Sequence, residues 1–558
     1  MSLRGPGSGG SQGGLGWSLA SAAIALAVLA PVLSLGWLAA GGSLAHWSGL
    51  ASNVLPSALR NTLVLLAGVG AVTLVCGTGC AWLVTAYEFP GRRILGWALL
   101  LPLAMPTYIA AFAYLDLLHP LGPAQSALRW VLGLDSPRDL RLGDPRSMGS
   151  AILLLGSVLY PYVYITTRAM FMTQPAHLME AARALGDGPW RAFLRVAVPL
   201  ARPAIAVGLG LTLLETLNDI GASEFLGVNT LTVAVYTTWI SRSDLAGAAQ
   251  LAVFMLAAVV MLLALERHGR ARQRFGSLQR MHAIQPRRLQ GGAALAATLA
   301  VAAPVVLGFG LPALHLSIEA VRRASRSGLS GALLEAAATT LAVAPAVTLV
   351  AVAAGFTVAW TARKVSTGGA WPVLRRVLSR SASLGYAVPG TVLAVGLITP
   401  VLALDYLVGD LLGTRRLLLL GSGFVLVAGC AIRFIAIPLG AVESALARLP
   451  PALEQASRLL GESPNRTLTR VHLPLLRPAL VAGAMLVFVD AMKELPATLL
   501  LRPVNMETLA TLVYAEAARG TYEEGALAAL AIVLAGLLPV TLLARAQLNP
   551  GQQVLPAP

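Results

Sequence analysis

Three acids stand four and five residues apart in one otherwise apolar stretch, Glu215, Asp219 and Glu224. On a helix that spacing brings them close to one face. A second set, Asp490, Lys493 and Glu494, keeps the four-residue step between its acids. At an offset of 275, Glu215 aligns with Asp490 and Asp219 with Glu494. Oxygen-rich acidic groups suit hard cations, and Lys493 would neutralise part of the charge. An ionisable side chain near a bilayer centre costs at least about 2.5–3.5 kcal/mol, so matched pairs of acids should face away from lipid. Three roles fit these residues: pairing across a helix interface, lining a cation-attracting pathway, and stabilising a helix break at Gly221 and Pro496. The residues alone leave the three open and identify no metal ligand.

Other reactive side chains fall short of a site. Cys76, Cys80 and Cys430 all lie in apolar runs, a pattern that is neither a metal signature nor a disulfide framework. Tyr160, Tyr162 and Tyr164 could offer phenolates to ferric iron, although packing or anchoring at a membrane interface is the simpler role. His119 and His472 stand alone and are assigned no metal. No His/Asp or Ser/Lys constellation suggests catalysis. Of 41 basic residues only Lys364 and Lys493 are lysines, and neither follows a glycine. The chain therefore lacks a phosphate-binding Gly-Lys-[Ser/Thr] loop.

A different kind of motif occurs twice. The first copy reads Glu180-Ala181-Ala182, then Gly186, then Val196 and Pro199. The alanines favour helix and allow a partner to approach closely. Gly186 permits the left-handed residue that ends a short helix, and Pro199 marks entry to the next span. The expected product is a helix–turn–helix at the membrane surface, able to dock into a cleft of a soluble partner. The second copy carries Gln455, Ala456, Ser457, Gly461, Val471 and Pro474, with the Gly-to-Pro spacing unchanged. Two copies at matching spacing argue against a generic interfacial hairpin.

The elements that must hold these residues are hydrophobic spans. Of 558 residues, 56% are hydrophobic and 12% charged, against about 45–50% and about 25% in soluble domains. Mean hydropathy is +0.74. A soluble enzyme and a disordered chain are excluded. Apolar runs of spanning length are expected at 17–40, 58–86, 94–117, 148–171, 200–223, 246–265, 291–317, 335–361, 383–405, 416–440, 477–500 and 525–545. The first run is too long for a signal-peptide core and is read as a span. Residues 1–16 form a Gly/Ser-rich flexible start, and 546–558 a tail.

The net charge of +16 follows topology. Seven arginines, among them Arg267, Arg270, Arg287 and Arg288, fall in 266–290, and Arg92, Arg93, Arg183, Arg191 and Arg195 fall in loops of the same parity. These loops and both termini are expected in the cytoplasm; nucleic-acid binding is not. Arg322, Arg323 and Arg326 break the pattern by facing outward.

The chain also repeats itself. Thr62 matches Thr340 and Trp82 matches Trp360 at offset 278; Gly186, Pro199 and Arg202-Pro203-Ala204 match Gly461, Pro474 and Arg477-Pro478-Ala479 at 275; Tyr236 matches Tyr514 at 278. The result is two tandem six-span domains, 17–265 and 291–545, joined by a cytoplasmic linker 266–290. Parallel repeats of this kind place a pathway on their pseudo-two-fold axis.

With its paired loops, the chain resembles the permease subunits of binding-protein-dependent ABC importers of the type I fold over nearly its whole length. The resemblance implies an all-α membrane protein of about 12 transmembrane helices in the bacterial inner membrane. In that family the loop, called the EAA loop, docks on a separate ATPase. Glu180, Ala181, Ala182, Gly186 and Pro199 match the motif, as do Ala456, Gly461 and Pro474, while Gln455 and Ser457 depart from it. The resemblance implies two ATPase copies, an extracytoplasmic solute-binding protein, no cofactor on this chain, and ATP and magnesium on the partner.

The stretch from Asp490 to Pro503, followed by Thr508-Leu509-Ala510-Thr511, resembles fused permeases of ferric-iron importers. So do Leu217-Asn218-Asp219 and Tyr160-Pro161-Tyr162-Val163-Tyr164. Thiamine, phosphonate or oxyanion cargo in the same class is the alternative, and a secondary transporter with parallel repeats a more distant one.

Overall fold

Backbone polar groups in lipid must be satisfied within the chain, and runs of Ala, Leu and Val meet that demand as helices. The computed structural model describes residues 12–140, 143–174, 176–270, 286–368 and 372–548. Most of the expected flexible start, the middle of the 266–290 linker and the end of the tail lie outside these residues. Where described, the start is already helical from Gln12.

Among the described residues, eleven helices are long and apolar enough to cross a membrane, and a bent pair brings the total to twelve. All fall where apolar runs predict them, with informative differences. The third span is two helices, Arg92–Ala104 and Thr107–Leu117, meeting at 94°. Pro106 holds Met105 out of the helical region (φ −100°, ψ 105°), as a residue preceding proline must be. Pro389 likewise separates Pro372–Ala387 from the ninth span, Gly390–Leu412. The fifth and eleventh spans, Pro189–Asn218 and Asn465–Met492, begin earlier than hydropathy suggests and stop before Asp219 and Glu494, with Glu215 and Asp490 still inside them. Each is therefore continuous with the second helix of the motif loop.

Packing groups the spans into two units. One comprises Met1–Leu44, Thr238–Val253 and Leu334–Leu509; the other Ala45–Thr237, Phe254–Leu333 and Ala510–Pro558. In the first unit the opening span, Gly16–Ala40, lies against Pro372–Ala387 and Gly390–Leu412, and Ser21 donates to Thr361 Oγ1 at 2.7 Å. In the second unit the last span, Tyr522–Leu542, lies against Leu311–Ser327.

The same construction recurs inside each unit. A Cβ on Gly77 or Gly208 would collide with Val163 of the fourth span, and one on Gly355 or Gly483 would crowd Pro438 of the tenth. Small residues thus let the flanking spans close on a central helix, at the repeat offsets of 278 and 275. Thr62 accepts the Leu231 N–H at 2.9 Å, and Thr340 accepts the Leu509 N–H at 2.8 Å. Each of these repeat-marking threonines caps the helix that opens at that leucine, Leu231–Ile240 or Leu509–Arg519.

Three loops expected on one side are physically joined. Tyr87–Glu88 pairs in parallel with Arg287–Arg288. Phe89, Ala294 and the motif-loop residue Phe193 share one apolar cluster. The three arginines that break the charge pattern are matched by glutamates: Arg322 by Glu319 at 2.7 Å, Arg323 by Glu524 at 2.7 Å and Arg326 by Glu523 at 3.7 Å.

Candidate functional site

Both motif loops fold as helix–turn–helix. The first runs Ala176–Ala184, turns, and resumes at Pro189. Gly186 sits at φ +92°. Its N–H reaches Arg183 O and the Asp187 N–H reaches Ala182 O, both at 3.0 Å. This paired closure satisfies the last carbonyls of a helix, and the left-handed residue it requires favours glycine. Gly461 repeats it at φ +78°, with the Glu462 N–H on Ser457 O at 3.1 Å. The residue after each glycine is an acid held by an arginine eight positions on: Asp187 to Arg195 at 3.4 Å and Glu462 to Arg470 at 2.7 Å.

The two alanines of the motif part company. Glu180, Ala181 and Gly186 are exposed, while Ala182 is buried. In the second copy Gln455, Ala456 and Gly461 are exposed and Ser457 is buried. Ser457 Oγ is 2.8 Å from Thr467 Oγ1, and the corresponding residues of the first copy, Ala182 and Ala192, are both buried in one apolar cluster. A methyl pair in one loop is thus a hydrogen-bonded hydroxyl pair in the other. The departure at Ser457 is internal and leaves the outer face unchanged.

That outer face carries a stripe composition alone does not reveal. Leu178, Ala181 and Leu185 step by three and four residues along one helix face, and so do Leu453, Ala456 and Leu460. Leu185 and Leu460 are 88% and 84% exposed. A leucine is thus bare at the same place in both loops, and the repeat offset was the signal that could have found it.

Beneath each loop lies an aromatic anchor. Trp82, at the end of the second span, packs on Phe171 (centroids 5.3 Å) and Phe193 (5.1 Å). Trp360, its repeat partner, packs on His472 at 5.0 Å beside Leu446 and Leu468. His472 is therefore a packing residue. From each loop the chain enters its span through one wide turn, 193–197 and 468–472, in which Val198 N–H reaches Phe193 O and Leu473 N–H reaches Leu468 O. A third such turn, 306–310, lies in the seventh span. Each ends two residues before a proline: Pro199, Pro474 and Pro312. A proline ring collides with the carbonyl four residues back, and widening the turn moves that carbonyl aside.

At the far ends of the fifth and eleventh spans the acids divide. Asp219 is buried; it accepts from Thr107 Oγ1 at 2.6 Å and from the Ser223 N–H and hydroxyl at 2.7 and 2.9 Å. Glu494, also buried, accepts from the Ala497 N–H and from Arg433, both at 3.1 Å. Each caps the short helix that resumes after the break, Gly221–Phe225 or Pro496–Leu501. Gly390 occupies the position of Thr107, after the breaking proline, and a Cβ there would meet Arg433. Threonine in one copy and arginine against glycine in the other thus serve the same acid. Glu224 accepts from Tyr514 Oη at 2.6 Å, Asp490 pairs with Lys493 at 2.8 Å, and Glu215 is half-buried. Among the described residues no three His, Cys, Asp or Glu side chains converge on a metal site. Tyr160 and Tyr164 are fully buried, the latter donating to Gly96 O at 2.8 Å.

Residues 73–274 and 365–550 both match the family described as the binding-protein-dependent transport system inner membrane component. The chain belongs to this family. It is an ABC importer permease that carries two copies of the family's domain. An Fe(3+)-transport system permease of Haemophilus influenzae is 24% identical, over 87% of this chain and 89% of its own length. A putative 2-aminoethylphosphonate transport system permease of Salmonella paratyphi A is 30% identical, over 38% of this permease and 73% of its own length. The sulfate transport system permease of Escherichia coli is 26% identical, over 39% and 77%.

Proposed function

We propose that this permease is the membrane subunit of a ferric-iron importer, and that its loops at 180–199 and 455–474 each receive one ATPase subunit. The observation that carries the cargo is the length of the likeness. The Fe(3+) permease aligns across 87% of this chain, whereas the sulfate and phosphonate relatives align with less than half of it. For coupling, support comes from two loops that each turn on a left-handed glycine, each offering an exposed leucine stripe and each rooted on a buried tryptophan. The arginine-rich loops and both termini face the cytoplasm of a bacterial inner membrane, and an extracytoplasmic binding protein delivers the solute. The chain performs no chemistry. Closing of the ATPases on ATP would move the loops and, through the fifth and eleventh spans, the breaks at Asp219 and Glu494.

Reconstitution tests this reading. Proteoliposomes holding the permease and its ATPase should hydrolyse ATP faster with a ferric-loaded binding protein than with the empty one, and should accumulate iron. Stimulation by a sulfate- or phosphonate-loaded protein, with none by the ferric form, would overturn the cargo. Uptake without any ATPase would overturn the coupling.

A further inference from the structure

A groove of about 1030 Å³ lies beside the short parallel pairing of Tyr87–Glu88 with Arg287–Arg288. Its walls are tied together. Leu289 N–H donates to Glu88 O at 2.8 Å, and Thr298 Oγ1 donates to Pro90 O at 3.1 Å. The second span, Leu55–Ala86, ends at this level and the seventh, Gly291–Ser327, begins there. The groove therefore opens where hydrocarbon gives way to the polar interface.

Its charge is one-sided. Arg92, Arg93 and Arg288 line it against a single acid, Glu88. Arg92 is already engaged, with Nε on Val84 O at 2.7 Å and a guanidinium nitrogen 3.4 Å from Glu88. Arg93 and Arg288 are exposed and form no ion pair among the described residues. Beside them the walls turn apolar: Ile94 is 71% exposed and Leu295 61% exposed, and both belong to helices that run on into spans.

We propose that this groove binds the headgroup of an anionic phospholipid, with the phosphate on Arg93 and Arg288 and the acyl chains along Ile94 and Leu295. Guanidinium groups match phosphate geometry in pairs, and basic pockets between helices at a membrane face hold anionic headgroups. The apolar wall distinguishes this site from one for free phosphate, which would have no use for exposed isoleucine and leucine next to its charges. The inference requires only that the chain spans a membrane and is independent of cargo.

The test uses the full-length permease in nanodiscs of phosphatidylcholine with or without phosphatidylglycerol, followed by native mass spectrometry of retained lipid. The wild type should retain phosphatidylglycerol in preference to phosphatidylcholine. Arg93→Gln alone should weaken that retention about five-fold, and Arg93→Gln with Arg288→Gln should abolish the preference. Arg138→Gln, an exposed arginine in another loop, should change nothing. Both groove arginines are exposed, so folding is unaffected by their loss, which size exclusion will verify. Unchanged retention in the double variant would overturn the proposal. So would displacement of phosphatidylglycerol by inorganic phosphate as readily as by the lipid itself. The readout needs neither ATPase nor solute, so a wrong cargo would leave it intact.

Discussion

Hydroxyls stand where methyls stand in the partner loop, and this makes Ser457 and Thr467 a measurable pair. Thr467→Ala leaves the buried Ser457 hydroxyl without its partner and should cost about 1–3 kcal/mol. Adding Ser457→Ala reproduces the pairing of Ala182 with Ala192 and should recover most of that loss. A thermal-melting cycle on the purified permease would read the coupling, and strict additivity would refute it. The acids invite a parallel comparison. Asp219→Asn removes charge from three hydrogen bonds in a buried cap and should destabilise by on the order of 2 kcal/mol. Asp490→Asn affects a half-exposed pair with Lys493 and should cost under about 1 kcal/mol. Equal losses in melting temperature would contradict the division of roles seen at the breaks. Sequence aligned Glu215 with Asp490 and Asp219 with Glu494. It could not tell a cap from a pathway, because the deciding partners, Thr107 and Arg433, come from other spans.

At the level of the element, the loops were legible and their inner faces were not. The Gly-to-Pro spacing predicts helix, turn and helix, and Gly186 at φ +92° and Gly461 at φ +78° are what that spacing demands. The alanine pair read as one small face, yet one helical step separates exposed Ala181 from buried Ala182. The stripe of Leu178, Ala181 and Leu185 faces outward instead. Leu185→Asp with Leu460→Asp should therefore abolish copurification with the ATPase while leaving the melting temperature of the permease within about 1 °C of wild type, since exposed positions rarely affect stability. Intact copurification would remove these leucines from the interface. Gly186→Ala forces a left-handed alanine and should cost about 1–2 kcal/mol, lowering ATPase stimulation without changing the spans. Hydropathy missed the wide turns before Pro199, Pro312 and Pro474 because nothing in an apolar count distinguishes a proline that is accommodated from one that breaks a helix.

Across the whole molecule the repeat was the strongest signal, and packing honours it: the same glycines, the same capping threonines and the same tryptophan anchors recur in each unit. Sequence order did not foretell that the opening span packs with segments of the second half, since hydropathy carries no information on neighbours. The repeat also has a rhythm. Its offset changes from 278 to 275 and back to 278, yet from the loop glycine to the capping acid it does not change: 219 − 186 and 494 − 461 both equal 33. The two copies differ in length elsewhere and agree here. A helix turns about 100° per residue, so a single added residue would leave the loop correctly seated while its distant break pointed a quarter-turn away. Loop and break are thus kept in phase, like two cams on one shaft. One alanine inserted after Leu213, beyond the close approach at Gly208, should preserve assembly and basal ATP hydrolysis while uncoupling both from uptake, and undiminished uptake would mean that the shaft transmits no rotation.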